Sequence, residues 1–322
     1  LKRIGVFTSG GDAPGMNAAV RAVVRTAHHQ GLEVYGIYRG YEGMIRNEIS
    51  QLHNHDVSNI IQKGGTILRS ARSADFKTPK GRKNAYENLQ KNEIDGLVAI
   101  GGDGTFTGAR IFGNEYDLPI VGLAGTIDND LYGTDFTIGY DTAINTAMEA
   151  IDKIKDTANA HNRLFFVEVM GRDAGFIAMR TGLATGAEAI LIPETKTAID
   201  SLIESLEKNY RTKKTSSIVV VAEGDDAGGA FEIAQKVKER FDDYEIRVSI
   251  LGHIQRGGSP TCMERVRASQ LGAEAVRSLI AGRRDIMIGI VDKRFQYTPF
   301  EKAIKHHQNL NPVMLELVDI LA

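Results

Sequence analysis

IGVFTSGGDAPGMNAAVRAVVRTAHHQ, residues 4–30, is the stretch from which the fold can be read. IGVFT (4–8) is a short run of apolar and β-branched residues, the signature of a buried strand. MNAAVRAVVRTAHHQ (16–30) spaces its apolar residues three and four apart, the signature of a helix with one buried face. Between them, TSGGDAPGMN (8–17) sets Gly10, Gly11 and Gly15 where the chain turns from strand to helix. Lacking side chains, these glycines let the backbone turn tightly and approach a ligand closely. The helix start offers unpaired N–H groups and a partial positive charge, and Pro14 stiffens the entry. The segment reads either as a phosphate cradle or as a plain strand–helix turn.

Outward from this unit the alternation continues. LEVYGIY (32–38) reads as a strand, a helix follows around 79–92, and DGLVAIGG (95–102) is the next strand. A helix at about 105–115 leads to LPIVGLAG (118–125). Alternating strands and helices predict an α/β architecture with a largely parallel sheet. The pattern restarts after 139, with a helix over roughly 140–158 and apolar strands NRLFFVEVMG (162–171), AEAILIPE (187–194), SSIVVVAEG (216–224) and IRVSILG (246–252). Helical segments lie between them, which predicts a second α/β domain. A long helix, about 261–281, and DIMIGIV (285–291) follow. Periodicity fits this last strand to either sheet.

At 322 residues and 35.2 kDa the chain is long enough for two domains with their own cores. Its 39 basic and 41 acidic residues leave a net charge of −2, so nothing global attracts nucleic acid or an anionic membrane. Phosphate binding must come from local clusters. The single cysteine, Cys262, allows no intrachain disulfide and argues against a cysteine-based metal site. That usage suits a reducing compartment. No run approaches 18 apolar residues, and the opening LKRIGVFTSGG reads as a strand entering a loop.

Two further segments carry chemistry. IGGDGTFTGA (100–109) repeats the glycine-loop logic around Asp103. An acid beside phosphates is repulsive by itself, and Mg2+ resolves this because it binds carboxylates and phosphates together. Asp103 is thus a magnesium ligand or, more plainly, a helix cap. AGTIDNDLYGTD (124–135) sets Asp128 and Asp130 two apart, just after Thr126. Such acids can divide proton acceptance and metal organisation, with Thr126 donating to a phosphoryl oxygen. They can equally build an Asx turn. The GxxxxGK[ST] motif is missing, and GxGxxG is absent from the first strand–helix turn, which disfavours a P-loop ATPase and a dehydrogenase.

Taken in order, TSGGDAPGMNAAVR, GGT…SAR (64–72), GGDGT (101–105), GTIDND (125–130), EVMGR (168–172), AEG (222–224) and LGHIQRGGSP (251–260) resemble the bacterial-type ATP-dependent 6-phosphofructokinase family along essentially the whole chain. The resemblance implies two Rossmann-like three-layer domains. The larger, ATP-binding domain would comprise 1–138 and 252–304. The smaller, sugar-phosphate domain would comprise 139–251 and 305–322. It implies phosphorylation of fructose 6-phosphate at its 1-hydroxyl by ATP with Mg2+, the committed step of glycolysis. Asp128 looks like the base, Asp103 like the main magnesium-organising acid with Asp130 helping. Arg72, Arg172 and Thr126 would stabilise the transferring phosphoryl group. Gly11, Tyr41, Arg72, Gly102, Asp103, Gly104 and Thr105 would line the ATP site. Met170, Gly171, Arg172, Glu223, His253 and Arg256 would serve the sugar phosphate together with Thr126 and Asp128. Arg163 and Arg247 resemble arginines that reach into a neighbouring subunit, which implies a shared active site and an obligate oligomer, while the resemblance as a whole implies a homotetramer in the cytoplasm; taken singly, both arginines also read as strand-edge surface charges.

Gly104 and Gly125 stand where related pyrophosphate-using enzymes carry Asp and Lys, so the chain resembles the ATP-using branch. Its motifs depart at Ala74 and Asp75 in SARSADF, Ala124 in AGTIDND, and Ala174 and Phe176 in GRDAGF. The resemblance further implies an effector pocket for ADP and phosphoenolpyruvate. Arg21 and Arg25, at i and i+4 on one helix face, match part of it. Lys155, Arg211, Lys213 and Lys214 would add positive charge, and Glu188 would hold effector magnesium. Asn54, between His53 and His55, stands where an arginine is usual, and Thr215 where a histidine is common. The lost charge predicts weakened phosphoenolpyruvate inhibition.

Overall fold

The computed structural model describes all residues except 162, 212–216, 242–244, 306–308 and 322, and side-chain surroundings for the rest except 159–161, 209, 217, 305, 318–319 and 321. In chain order the elements are β1 (Arg3–Thr8), α1 (Met16–His29), β2 (Glu33–Ile37), α2 (Gly40–Ile45), β3 (Ile49–Leu52), α3 (Pro79–Lys91), β4 (Gly96–Gly101), α4 (Asp103–Tyr116), β5 (Ile120–Thr126), β6 (Ile138–Gly139) and α5 (Tyr140–His161). They continue with β7 (Arg163–Val169), α6 (Phe176–Thr185), β8 (Ala189–Leu191), α7 (Ile199–Arg211), β9 (Ser217–Ala222), α8 (Ala230–Lys238), β10 (Glu245–Ile250), α9 (Cys262–Ile280), β11 (Ile286–Val291), β12 (Arg294–Pro299), α10 (Phe300–Lys305) and α11 (Pro312–Leu321).

The chain forms two compact units. The first comprises Leu1–Ile127, Leu131–Thr142 and Arg256–Gln308. Its main sheet runs β12-β11-β5-β4-β1-β2-β3. The inner pairs are parallel, while β3 and β12 close the two edges antiparallel. β4 is apolar throughout and β1 is apolar from Ile4 to Phe7, because helices cover both faces, as a parallel sheet requires. Phe7, Leu97, Phe106, Phe112 and Phe300 are at most 1% exposed on one side of this sheet. β11 pairs with β5, which assigns DIMIGIV to the first sheet.

The order places β1 between β2 and β4, so the chain reverses direction across the sheet there. A crevice opens at such a switch point, beyond the carboxyl ends of the strands. Both glycine loops emerge at that place, one after β1 and one after β4.

The second unit comprises Asp128–Asp130, Ala143–Gln255 and Asn309–Ala322. Its sheet, β10-β7-β9-β8, is parallel throughout. Leu164, Phe166, Val219 and Val221 pack with Ile233 and Val237 of α8 and Leu206 of α7. AEAILIPE shortens to the three residues of β8. No helix among the described residues is long and apolar enough to cross a membrane.

Candidate functional site

In the first unit the two glycine loops meet. Ser9 N–H donates to the Ile100 carbonyl at 3.0 Å, and Thr105 Oγ1 donates to the Ser9 carbonyl at 3.2 Å. A Cβ on Gly101 would lie 2.4 Å from that same carbonyl, so only glycine lets the loops close on each other. Gly10 and Gly15 have φ of +87° and +102°, left-handed backbone that glycine adopts without penalty. The SAR segment joins them: Ser70 Oγ donates to the Gly10 carbonyl, and Thr8 Oγ1 donates to the Arg69 carbonyl at 2.8 Å. Arg72 is exposed in this segment.

Asp103 is the first residue of α4, and the cap position belongs to Gly102, which has no side chain to cap with. A carboxylate there lies at the positive end of the helix. A Cβ on Gly104 would meet nothing within 4 Å, and one on Gly102 would meet only Thr126 Cβ at 3.8 Å, so the loop is open on this side. Gly125 is different: a Cβ would lie 2.9 Å from both Ile100 Cγ2 and Met16 Cε. Its glycine serves packing of β5 on β4 and α1. Tyr41 is buried, stacks on Phe76 at 3.9 Å, and donates its hydroxyl to the Thr105 carbonyl at 2.6 Å. Burial pushes that phenol's pKa up. Tyr41 thus braces the first turn of α4.

Sequence reasoning missed two residues in this half. Asn17 donates from Nδ2 to the Lys63 and Gly64 carbonyls and accepts from Ile67 N–H at 2.7 Å, tying GGT to the start of α1. Glu264, only 2% exposed, accepts from Thr142 N–H and Oγ1 at 3.2 and 3.3 Å and from the Gly139 amide. Burial raises its pKa to about 7, opposed by those amides, with Asp141 adding repulsion. The Thr261-x-x-Glu264 pattern was the available signal. It reads as a capping box. Thr261 does cap α9, accepting from Glu264 N–H at 3.1 Å, but the Glu264 carboxylate caps the start of α5 instead.

In the second unit EVMGR, AEG and the start of LGHIQRGGSP lie at the carboxyl ends of β7, β9 and β10. Glu223 Oε1 accepts from Gly171 and Arg172 N–H at 3.2 and 2.7 Å. Gly171 and Arg172 both have positive φ, 147° and 58°. A Cβ on Gly224 would lie 2.2 Å from the Arg172 carbonyl, so AEG and EVMGR interlock. Met170 is buried at their junction, Arg172 is exposed, and His253 is exposed in the short turn Gly252–Arg256. Asp128 and Asp130 are 5% and 9% exposed, separated by Asn129 in left-handed backbone with φ 56°. Arg256 falls in the first unit, against Gly11.

Arg163 and Arg247 stand apart from this cluster. Arg163 opens β7 and EVMGR ends it, so the two lie about 20 Å apart along one strand. Both arginines contact Glu245.

The basic residues of the implied effector pocket divide between the units. Arg21 and Arg25 lie along α1, where burial and then Arg25 lower the pKa of Arg21. In the second unit Lys155 donates to the Thr185 carbonyl at 2.7 Å, Arg211 pairs with Glu207 at 3.5 Å, and Glu188 is buried. Lys213, Lys214 and Thr215 lie outside the described residues. His53 stacks between His28 and His55 with ring centres 6.3 and 5.4 Å away, and Asn54 is exposed.

The Phosphofructokinase family profile matches residues 3–279. ATP-dependent 6-phosphofructokinase 2 of Bacteroides thetaiotaomicron is 57% identical over 321 residues, covering 100% of this chain and 98% of that protein. ATP-dependent 6-phosphofructokinase 1 of Thermus thermophilus is 56% identical, covering 100% of both chains. Among solved structures, phosphofructokinase from Saccharomyces cerevisiae superposes with a TM-score of 0.91 at 37% identity. It covers 95% of this chain, which spans 45% of the yeast chain.

Proposed function

Because the chain belongs to the phosphofructokinase family, we infer that it transfers the terminal phosphoryl group of ATP to the 1-hydroxyl of fructose 6-phosphate, yielding fructose 1,6-bisphosphate and ADP in glycolysis. The observation that carries this reading is the match to ATP-dependent 6-phosphofructokinases over 100% of the chain. The paired glycine loops at the first sheet's switch point give it a physical basis.

The nucleotide phosphates lie along the 9–15 and 102–105 loops, where backbone N–H groups and the α4 start favour anions. Gly104 leaves the space an adenosine nucleotide needs. Asp128 accepts the proton of the sugar hydroxyl as its oxygen attacks in line, without a phosphoenzyme. Arg72 and Arg172 offset charge on the phosphoryl oxygens through their planar donor forks, and Thr126 donates a further hydrogen bond. Met170, Gly171, Glu223, His253 and Arg256 hold the sugar phosphate.

Among the described residues no three His, Cys, Asp or Glu side chains cluster as a metal cage. That suits Mg2+, which is ordinarily held by one or two carboxylates together with substrate phosphates. Asp103, on the open side of its loop, and Asp130 are the carboxylates that would hold it, and its chemistry would be charge neutralisation on the phosphates.

Arg163 and Arg247 complete the sugar-phosphate site of a neighbouring copy, a reading supported by Arg163 opening β7 at the end opposite EVMGR and by Glu245 holding both guanidinium groups there. This makes the enzyme an oligomer, taken as a homotetramer acting in the cytoplasm. Arg21, Arg25, Lys155, Glu188 and Arg211, with Lys213 and Lys214, form an effector site for ADP and phosphoenolpyruvate, weakened by Asn54. The test of the base is Asp128→Ser: turnover falls far more than sugar-phosphate binding, and equal turnover would remove Asp128 from the role.

A further inference from the structure

The glycines of the first loop are not alike. Gly10 and Gly15 are fixed by left-handed backbone. Gly11 is not among the positive-φ residues, so its backbone does not call for glycine. What fills the space beside it is the guanidinium of Arg256. A Cβ on Gly11 would lie 2.3 Å from Arg256 Nη1 and 3.1 Å from Cζ, and no other residue comes within its three nearest contacts. Arg256 Nη1 also points at the Asp12 carbonyl, 3.4 Å away, a distance at which a hydrogen bond is weak.

The backbone around Arg256 is held firmly. A Cβ on Gly64 would lie 2.3 Å from the Gly258 carbonyl, and Ser259 Oγ donates to the Gln62 carbonyl at 2.9 Å. Asn17 in turn anchors the 63–67 segment to α1. The Arg256 backbone is therefore braced against the nucleotide loop, while its guanidinium rests there by a weak contact that it can exchange for a phosphate.

We propose that Gly11 is a positioning residue for Arg256: its missing side chain is the seat of the guanidinium, so a residue of the nucleotide loop sets the affinity for the sugar phosphate. This rests on Arg256 being a sugar-phosphate ligand. The crowding atom is the far end of a flexible side chain, so Gly11→Ala displaces the guanidinium without disturbing the fold.

The test is a double-mutant cycle on the full-length chain with Gly11→Ala, Arg256→Ala and both together, reading KM for fructose 6-phosphate, KM for ATP and thermal unfolding. Gly11→Ala is expected to raise KM for fructose 6-phosphate about tenfold, the scale of one charge-assisted hydrogen bond, and to raise KM for ATP by a clearly smaller factor. In the Arg256→Ala background it adds nothing further. An equal or larger rise in KM for ATP overturns the proposal and makes Gly11 a phosphate-approach glycine. Additive effects overturn it as well. So does a Gly11→Ala chain that fails to fold, which would mean that backbone occupies the seat. If Arg256→Ala leaves KM for fructose 6-phosphate unchanged, the ligand assignment of Arg256 itself fails.

Discussion

Arg163 Nε donates to Glu245 Oε2 at 2.7 Å, across the parallel register that sets these residues side by side on β7 and β10. Arg247 contacts the other oxygen of the same carboxylate. One acid thus holds two guanidinium groups at the amino-terminal end of β7, away from their own chain's EVMGR loop. If they serve a neighbour's site, two defective chains complement. Arg163→Ser and Asp128→Ser proteins, each nearly inactive alone, should regain activity when dissociated and reassembled together. No regain after verified mixing would place Arg163 outside the neighbour's site.

Glu264 makes stability depend on pH. Its folded pKa, about 7, lies above its ordinary 4.5. A raised folded pKa means that the stabilising contribution is complete below pH 4.5 and is lost as pH rises through 7. The full effect is roughly 3 kcal/mol. Glu264→Gln keeps an acceptor for Thr142 N–H and removes the ionisation. The variant's melting temperature should therefore gain on the parent's between pH 5 and pH 8. A difference that is the same at both pH values would contradict the assignment.

Gly104 and Gly125 should respond oppositely to a side chain. Gly104→Asp enters open space and leaves stability within about 0.5 kcal/mol, as surface changes do. The new acid repels nucleotide phosphates, so KM for ATP should rise at least tenfold. Gly125→Ala crowds Ile100 and Met16 and should cost about 1–3 kcal/mol of stability. Kinetics and urea unfolding of both variants check this, and a stable Gly125→Ala protein would show that β5 can shift.

Asn54→Arg should strengthen phosphoenolpyruvate inhibition by restoring a phosphate contact. Inhibition curves with and without the substitution read it directly. Strong inhibition of the parent, unchanged in the variant, would show that neighbouring basic groups already suffice.

What the sequence made legible follows from range. β1, α1, β4 and α4 have local signatures, because burial on both faces forces apolar runs and the turns force glycine. β3 and β12 escaped notice: both are antiparallel edges, β3 only four residues long and β12 without a continuous apolar run, and the β11–β12 turn is built from Asp292 and Lys293 at positive φ without a glycine to mark it. The sheet that receives β11 is set by its pairing with β5, a contact no periodicity encodes. The glycine-rich turn around Asp103 and Gly104 was legible because a strand–helix junction restricts residue type within a few positions. Glu264 and Asn17 were not, because each acts on backbone far along the chain. The Thr261-x-x-Glu264 spacing is that of a self-capping helix start, yet the tertiary fold turns the carboxylate to Thr142.

The most direct test of the central claim is product identification with purified protein, fructose 6-phosphate, Mg2+ and either ATP or pyrophosphate. Fructose 1,6-bisphosphate and ADP, formed with ATP and only when the sugar is present, is the predicted result. Product from pyrophosphate but not from ATP, or ATP binding without any sugar phosphorylation, would contradict it.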